Sequence, residues 1–374
     1  MEPVPPPVRI GEADSADADR IDAVIEPMRS WVAAVDDLGA LDRYPAGTAA
    51  VAAELVRAGA GALAAERALT ILNDALTVRL IQLAEAELGA PPCRYAWLAL
   101  GSGGRMEQAL LTDQDNAIAY AGSEPPEGGS PESGPPAEDY FAALGAYVVD
   151  GLARAGLRRC PGGYMADRWR LRPAAWRELF DGWIDNPEPQ ALVEAEVFLD
   201  FRPIHAQLST ASLEMALLRG SRVARFQVGM ARAAVRLSPP RWLALHRLAG
   251  RMRGQAYEVD LKRAGLAPVV LLARLYSLIA GSRARSTLER LAAAEAAGTL
   301  SHEGADALAQ AYRFLSDLRL DTQLRQVAAG ASPTNWARLG DLTADQRIRL
   351  RLAIRTVRDM QRATALRFPT HTVL

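Results

Sequence analysis

The sequence predicts an α+β fold that is mostly helical: a small mixed β-sheet core flanked by N-terminal helices and a C-terminal helical bundle. Three observations lead there. Two short apolar runs, Tyr95–Leu100 and Ala117–Tyr120, enclose a stretch rich in glycine and carboxylates and read as buried strands. Ala- and Leu-rich segments with apolar residues at helical spacing lie on both sides of them. Gly and Pro punctuate those segments at intervals suited to packed helices. The 374 residues suffice for two or three compact units. The expected divisions are a disordered N-terminus over 1–20, an N-terminal helical region over 21–90, a core over 91–207 and a C-terminal helical domain over 208–374.

Taken in order, Met1 to about Asp19 is Pro-rich and acidic, a composition that favours disorder. From Ile21 to Leu38 the apolar residues recur at helical spacing, and Pro27 inside them predicts a kink or two shorter helices. Thr48–Leu88 reads as one or two long helices, and Gly89-Ala90-Pro91-Pro92 as a hinge. After the second strand, 121–137 is dense in Gly, Pro, Ser and Glu, a mobile loop or a lid. Tyr140–Ala155 is a helix with Phe141, Leu144, Val148 and Leu152 on one face, closed by Gly156. Trp169, Trp176 and Trp183 recur every seven residues and read as core aromatics, with base stacking as the alternative. Glu196–Ile204 alternates as a strand would, with Asp200 and Arg202 on one side as a possible ion pair. Everything after Leu208 reads as helical.

Composition excludes several classes. The formal net charge of -1 gives no global basic field for nucleic acid or an anionic membrane. Cys93 and Cys160 form no disulfide framework, and the few histidines are too scattered for a zinc site. Cys160 has no histidine near it in sequence and reads as a turn residue, not a nucleophile. No run reaches the ~18 to 20 apolar residues that span a bilayer. The acidic N-terminus lacks the basic and apolar regions of a signal peptide. A cytoplasmic protein is expected. Arginine is abundant while Lys262 is the only lysine, which makes that lysine informative.

The chemistry is concentrated between the two strands. Gly101-Ser102-Gly103-Gly104 is too glycine-rich to continue a strand or to start a helix cleanly. Its backbone N–H groups and hydroxyl, with no side-chain bulk in the way, suit a phosphate. Asp113 and Asp115 are one residue apart, and in a strand both would face one side. Two carboxylates that close need a cation or a shared proton. Hard oxygen ligands suit Mg²⁺, which takes one or two carboxylates plus substrate phosphates. A phosphate cradle beside such a pair is the apparatus of phosphoryl or nucleotidyl transfer.

Gly-Ser, ten residues, then Asp-x-Asp resembles the signature of the DNA polymerase beta superfamily of nucleotidyltransferases. The longer string from Gly101 to Ala117 is similar to bacterial nucleotidyltransferases found behind CBS and cyclic-nucleotide-binding domains. It is also similar to the catalytic domain of the uridylyltransferase that modifies the PII signalling protein. Further matches are C-P-G-G-Y-M-A from Cys160, F-L-D-F-R from Phe198 and D-L-K from Asp260. The resemblance implies that 91–207 is a nucleotidyltransferase core using Mg²⁺ or Mn²⁺. It implies Asp113 and Asp115 as catalytic metal ligands with Asp200 as the third. It further implies Gly101, Ser102, Gly103, Arg105 and Lys262 as contacts to a nucleoside triphosphate such as ATP. Glu107 reads as orienting Arg105 or the loop, and for both Arg105 and Glu107 a structural ion pair is the alternative. A protein acceptor in signal transduction follows by the same resemblance. The regulatory CBS and cyclic-nucleotide modules are not recognisable here, so control is expected from a partner or the N-terminal helices. A nucleotide-binding regulator without turnover and an antitoxin-like interaction protein are the alternatives. Nothing in the sequence speaks to the oligomeric state.

Overall fold

The computed structural model describes residues 15–122, 137–237 and 257–370. Helices α1 (Ser15–Ala33), α2 (Tyr44–Arg57) and α3 (Ala62–Leu88) precede strand β1 (Tyr95–Ala99). A one-turn helix α4 (Gly101–Arg105), strands β2 (Asp113–Gln114) and β3 (Asn116–Tyr120) and helix α5 (Ala137–Arg154) follow. The core ends with β4 (Arg158–Arg159), β5 (Arg170–Leu171), α6 (Pro173–Asp185), α7 (Pro189–Phe198) and β6 (Arg202–Ala206). The C-terminal half holds α8 (Ala211–Leu218), α9 (Ala224–Arg236), β7 (Glu258–Asp260), α10 (Ala267–Ile279), α11 (Thr287–Ala296), α12 (His302–Ala328), β8 (Trp336–Arg338) and α13 (Ala344–Arg367). The fold is the mostly helical α+β class that the sequence predicts.

The main sheet has the order β5-β3-β1-β6; β1 is antiparallel to both its neighbours and β3 is parallel to β5. Every residue of β1 and β3 is buried, because helices cover both faces. Alternation then divides the side chains. Tyr95, Trp97, Ile118 and Tyr120 join the N-terminal helices and α5 in one core. Ala96, Leu98, Ala117 and Ala119 face a second core built on Trp176, Phe180, Trp183 and Phe198. A third core lies within the C-terminal helices. The tryptophans of the seven-residue spacing are core aromatics: Trp169 and Trp176 stack at 6.1 Å, and Phe198 touches Trp169, Trp176 and Trp183.

Four expectations need correction. Helix α1 runs through Pro27 without a break and already begins at Ser15. The strand expected at Glu196–Ile204 is the end of α7, a turn, and then β6. Leu192, Ala195 and Phe198 are buried at helical spacing, and Pro189 starts the helix, so the period that decides the segment begins upstream of Glu196. Third, β7 and β8 interrupt the helices of the C-terminal half as an antiparallel pair. Fourth, the glycine turn does start a helix, as described below. The predicted loop at 121–137 lies almost wholly outside the described residues, as do residues 1–14 of the predicted disordered terminus.

Candidate active site

Strand β1 delivers the chain to Gly101 at the edge of the sheet. Gly101 has φ +51°, a left-handed conformation that only glycine adopts freely, and the chain then winds through α4. Met106 is again left-handed, which turns the chain out of the helix. The Leu100 N–H donates to the Asp115 carbonyl at 2.9 Å, so the end of β1 is tied to the junction of β2 and β3. A Cβ on Gly101 would stand 2.7 Å from Oδ2 of Asp115. One on Gly104 would stand 1.6 Å from the carbonyl oxygen of Asp200. Two of the glycines are therefore required by close approach. The Ser102 hydroxyl lies 3.4 Å from that of Thr112, beside the carboxylates.

β2 ends at Gln114 and Asp115 occupies the break before β3, near enough to Asp113 for its charge to act on Asp115. Burial pushes the Asp115 carboxyl up, and the charge of Asp113 adds to that; a hydrogen bond from the Cys160 thiol and the charges of Lys262 and Arg105 oppose it. The Cys160 thiol is pushed up to about 11 by burial and by Asp115, so it stays protonated and unreactive. Lys262 is exposed and opens the π-helical turn Lys262–Leu266 after β7. Its charge reaches Asp115 from the far half of the chain. Asp113 is 20% exposed, and Arg158 holds one of its oxygens through Nε at 3.1 Å and Nη2 at 2.8 Å. Sequence reasoning missed Arg158, because only the parallel pairing of β2 with β4 sets it opposite Asp113.

Asp200 and Arg105 are placed differently from the expectation. Asp200 is fully buried and ion-pairs with Arg105, Arg274 and Arg290. Burial alone would raise its carboxyl, but Arg274, Arg290 and Arg105 hold it well below the usual carboxylate range. In place of the expected position beside Asp113 and Asp115, the Asp200 carboxylate is enclosed by three guanidiniums. Among the described residues no group of three or more His, Cys, Asp or Glu side chains could hold a metal ion. Arg105 likewise turns inward. Its Nε donates to Glu107 at 2.7 Å and its Nη1 to Asp200, which leaves it no free fork for a triphosphate. Glu107 also accepts from Thr287 at the start of α11, through both its N–H and its hydroxyl. The expected Asp200–Arg202 pair is not formed. Arg202 instead bonds Asp74 and, at 2.9 Å, the Gly103 carbonyl. Asp74 is pushed up to about 6, chiefly by burial, with Arg202 opposing. Asp74, Arg274, Arg290 and Thr287 carried no local signal, since each sits in an ordinary helical stretch.

The glycine helix α4 follows β1, the two carboxylates lie at β2 and the break after it, and the charge of Lys262 from the C-terminal half acts on Asp115. The chain matches the family described as putative nucleotidyltransferase DUF294 over residues 46–190. It matches the companion family, the nucleotidyltransferase substrate binding domain DUF294_C, over 224–368. The two matches span most of the chain, and the protein belongs to this nucleotidyltransferase family. No curated protein matches it. Gly101, Asp113 and Asp115 fall in the first match and Lys262 in the second. Asp200 lies between the matches and ties Arg105 of the first to Arg274 and Arg290 of the second. No helix among the described residues is long and apolar enough to cross a membrane.

Proposed function

We propose that this protein moves a nucleoside monophosphate from a nucleoside triphosphate to an acceptor hydroxyl, with a protein as the acceptor and Mg²⁺ or Mn²⁺ as the cofactor. The observation that carries this is Asp115, packed against the bare Cα of Gly101 with the charges of Asp113 and Lys262 both acting on it. A carboxylate raised by burial and by a like-charged neighbour is a group that a cation relieves. The pair fits a hard divalent ion that takes few protein ligands and completes its shell with substrate phosphates. Asp113 and Asp115 would hold it, and when bound it supplies charge neutralisation at the phosphates and activation of the acceptor oxygen.

The remaining chemistry belongs to the chain itself. Gly101, Ser102 and Gly103 let the phosphates approach the backbone closely, and the Ser102 hydroxyl adds a donor. Lys262 meets the terminal phosphates as a point charge. Arg158 fixes the rotamer of Asp113, leaving its second oxygen available. Arg105 and Asp200 hold the glycine helix from behind instead of touching the nucleotide. In this reading the nucleotidyltransferase core and the C-terminal helical domain meet on Asp200, close to the boundary at 207.

The test is incubation of the full chain with each radiolabelled nucleoside triphosphate, Mg²⁺ and a cell lysate. Label on a discrete protein band is the expected result. Asp113→Asn and Asp115→Asn should each abolish labelling while the melting temperature is kept. Nucleotide binding without label would assign the protein as a silent regulator instead.

A further inference from the structure

A pocket of about 670 Å³, its mouth included, lies where α2, α3, the loop after α4 and the ends of α5 and α12 meet. Its walls are mainly apolar. Ala49 and Leu69 come from the N-terminal helices, Leu110 and Leu157 from the core, and Val327 and Pro333 from the C-terminal half. None of its lining residues is charged, so it suits a neutral group and offers a phosphate no counter-charge. Four polar side chains, each at least nine-tenths buried, also line it: Tyr44, Thr48, Asn73 and Thr112. Two of them have their protons committed inside the protein. The Tyr44 hydroxyl donates to Asn73 Oδ1 at 2.7 Å, and the Thr48 hydroxyl to the carbonyls of Tyr44 and Pro45, each at 3.1 Å. Burial and the charge of Asp74 keep the Tyr44 phenol protonated. These two hydroxyls therefore have lone pairs to offer a ligand. Asn73 spends one N–H on Gln108 at 3.0 Å and has one more.

We propose that this pocket holds the base of the nucleoside triphosphate and selects adenine or cytosine over uracil. The base site presupposes the nucleotide reading above. Thr112 joins the pocket to the phosphate cradle. It lines the one, its hydroxyl lies 3.4 Å from that of Ser102 in the other, and Asp113 follows it in the chain. Leu157, on the same wall, directly precedes Arg158, the partner of Asp113. A nucleotide with its phosphates on Gly101–Gly103 thus enters the pocket past Thr112. The selectivity follows from the polar groups. Adenine and cytosine present an amino donor beside an unprotonated ring nitrogen, which matches the lone pairs of Tyr44 and Thr48 beside the Asn73 N–H. Uracil presents a carbonyl beside an N–H, so its carbonyl meets lone pairs and buried groups are left unpaired.

The test is calorimetric titration of the full chain, in Mg²⁺, with ATP, CTP, UTP and inorganic triphosphate. ATP and CTP should bind about tenfold or more tighter than inorganic triphosphate, the gain expected from burying a base, and UTP should gain less. Leu110→Trp and Val327→Trp fill the pocket from two separate segments. Both residues are only partly buried, so the fold should hold, which circular dichroism checks. Each variant should lose the advantage of ATP over inorganic triphosphate and keep the binding of inorganic triphosphate itself. Thr48→Val should narrow the gap between ATP and UTP. The base site is overturned if no nucleotide gains over inorganic triphosphate, or if the gain survives in a folded filler variant. UTP binding as tightly as ATP and CTP refutes the selectivity. Absent protein labelling with these binding results intact would refute the transfer and leave the base site standing. Labelling at the wild-type KM in both filler variants would refute the base site and leave the transfer standing.

Discussion

Oδ2 of Asp115 lies 2.7 Å from where the Cβ of any residue but glycine at position 101 would be. The first glycine of the turn and the second carboxylate of the pair therefore form one unit. Gly101→Ala combines that contact with a left-handed φ of +51°. We expect a loss of about 1–2 kcal/mol from the backbone alone, together with a large loss of transfer activity. Urea denaturation and the labelling assay measure the two. A variant with wild-type activity would break the link between Gly101 and the site.

Asp200→Asn should destabilise strongly, by about 3–5 kcal/mol, because it leaves buried guanidiniums without their anion. The acid limb carries the same sign. The folded carboxyl lies below its ordinary value of 3.8, so its contribution is present in full above that value and is lost as pH falls through the folded one. Wild-type stability should thus fall more steeply than that of the variant below about pH 4. Parallel acid limbs in denaturant titrations would argue against the anchor.

Asp115 runs the other way. Its folded carboxyl is raised, so ionising it opposes folding at pH above the ordinary value of 3.8. Asp115→Asn should therefore match or exceed the wild type in melting temperature at pH 7, while the two converge in acid. Clear destabilisation at pH 7 would mean that the carboxylate is a structural acceptor.

Lys262→Ala should weaken triphosphate binding much more than monophosphate binding, with Lys262→Arg impaired to a smaller degree. Lys262 is exposed, so the fold should not suffer. Equal losses for the two ligands would move Lys262 away from the terminal phosphates.

Mg²⁺ and a nucleoside triphosphate together should raise the melting temperature by more than the sum of either alone, since each completes the other's site. The gain should vanish in Asp113→Asn. Additive shifts for every nucleotide would separate the two ligands.

What the sequence determined by itself is local. Hydrophobic period and breakers are written into adjacent residues, so β1, α5 and the C-terminal helices α10 to α13 could be read directly. So could the spacing from Gly101 to Asp113 and Asp115, though not the winding of the glycines into α4. The tertiary structure alone decided where charges meet. Whether Asp200 faces a metal or three arginines depends on Arg105, Arg274 and Arg290, which arrive from separate helices. Arg202 reaches past its sequence neighbour to Asp74, and Arg158 meets Asp113 only through strand pairing. The physical reason is that a buried charge must find an opposite one, and nothing in its own segment records which distant segment supplies it.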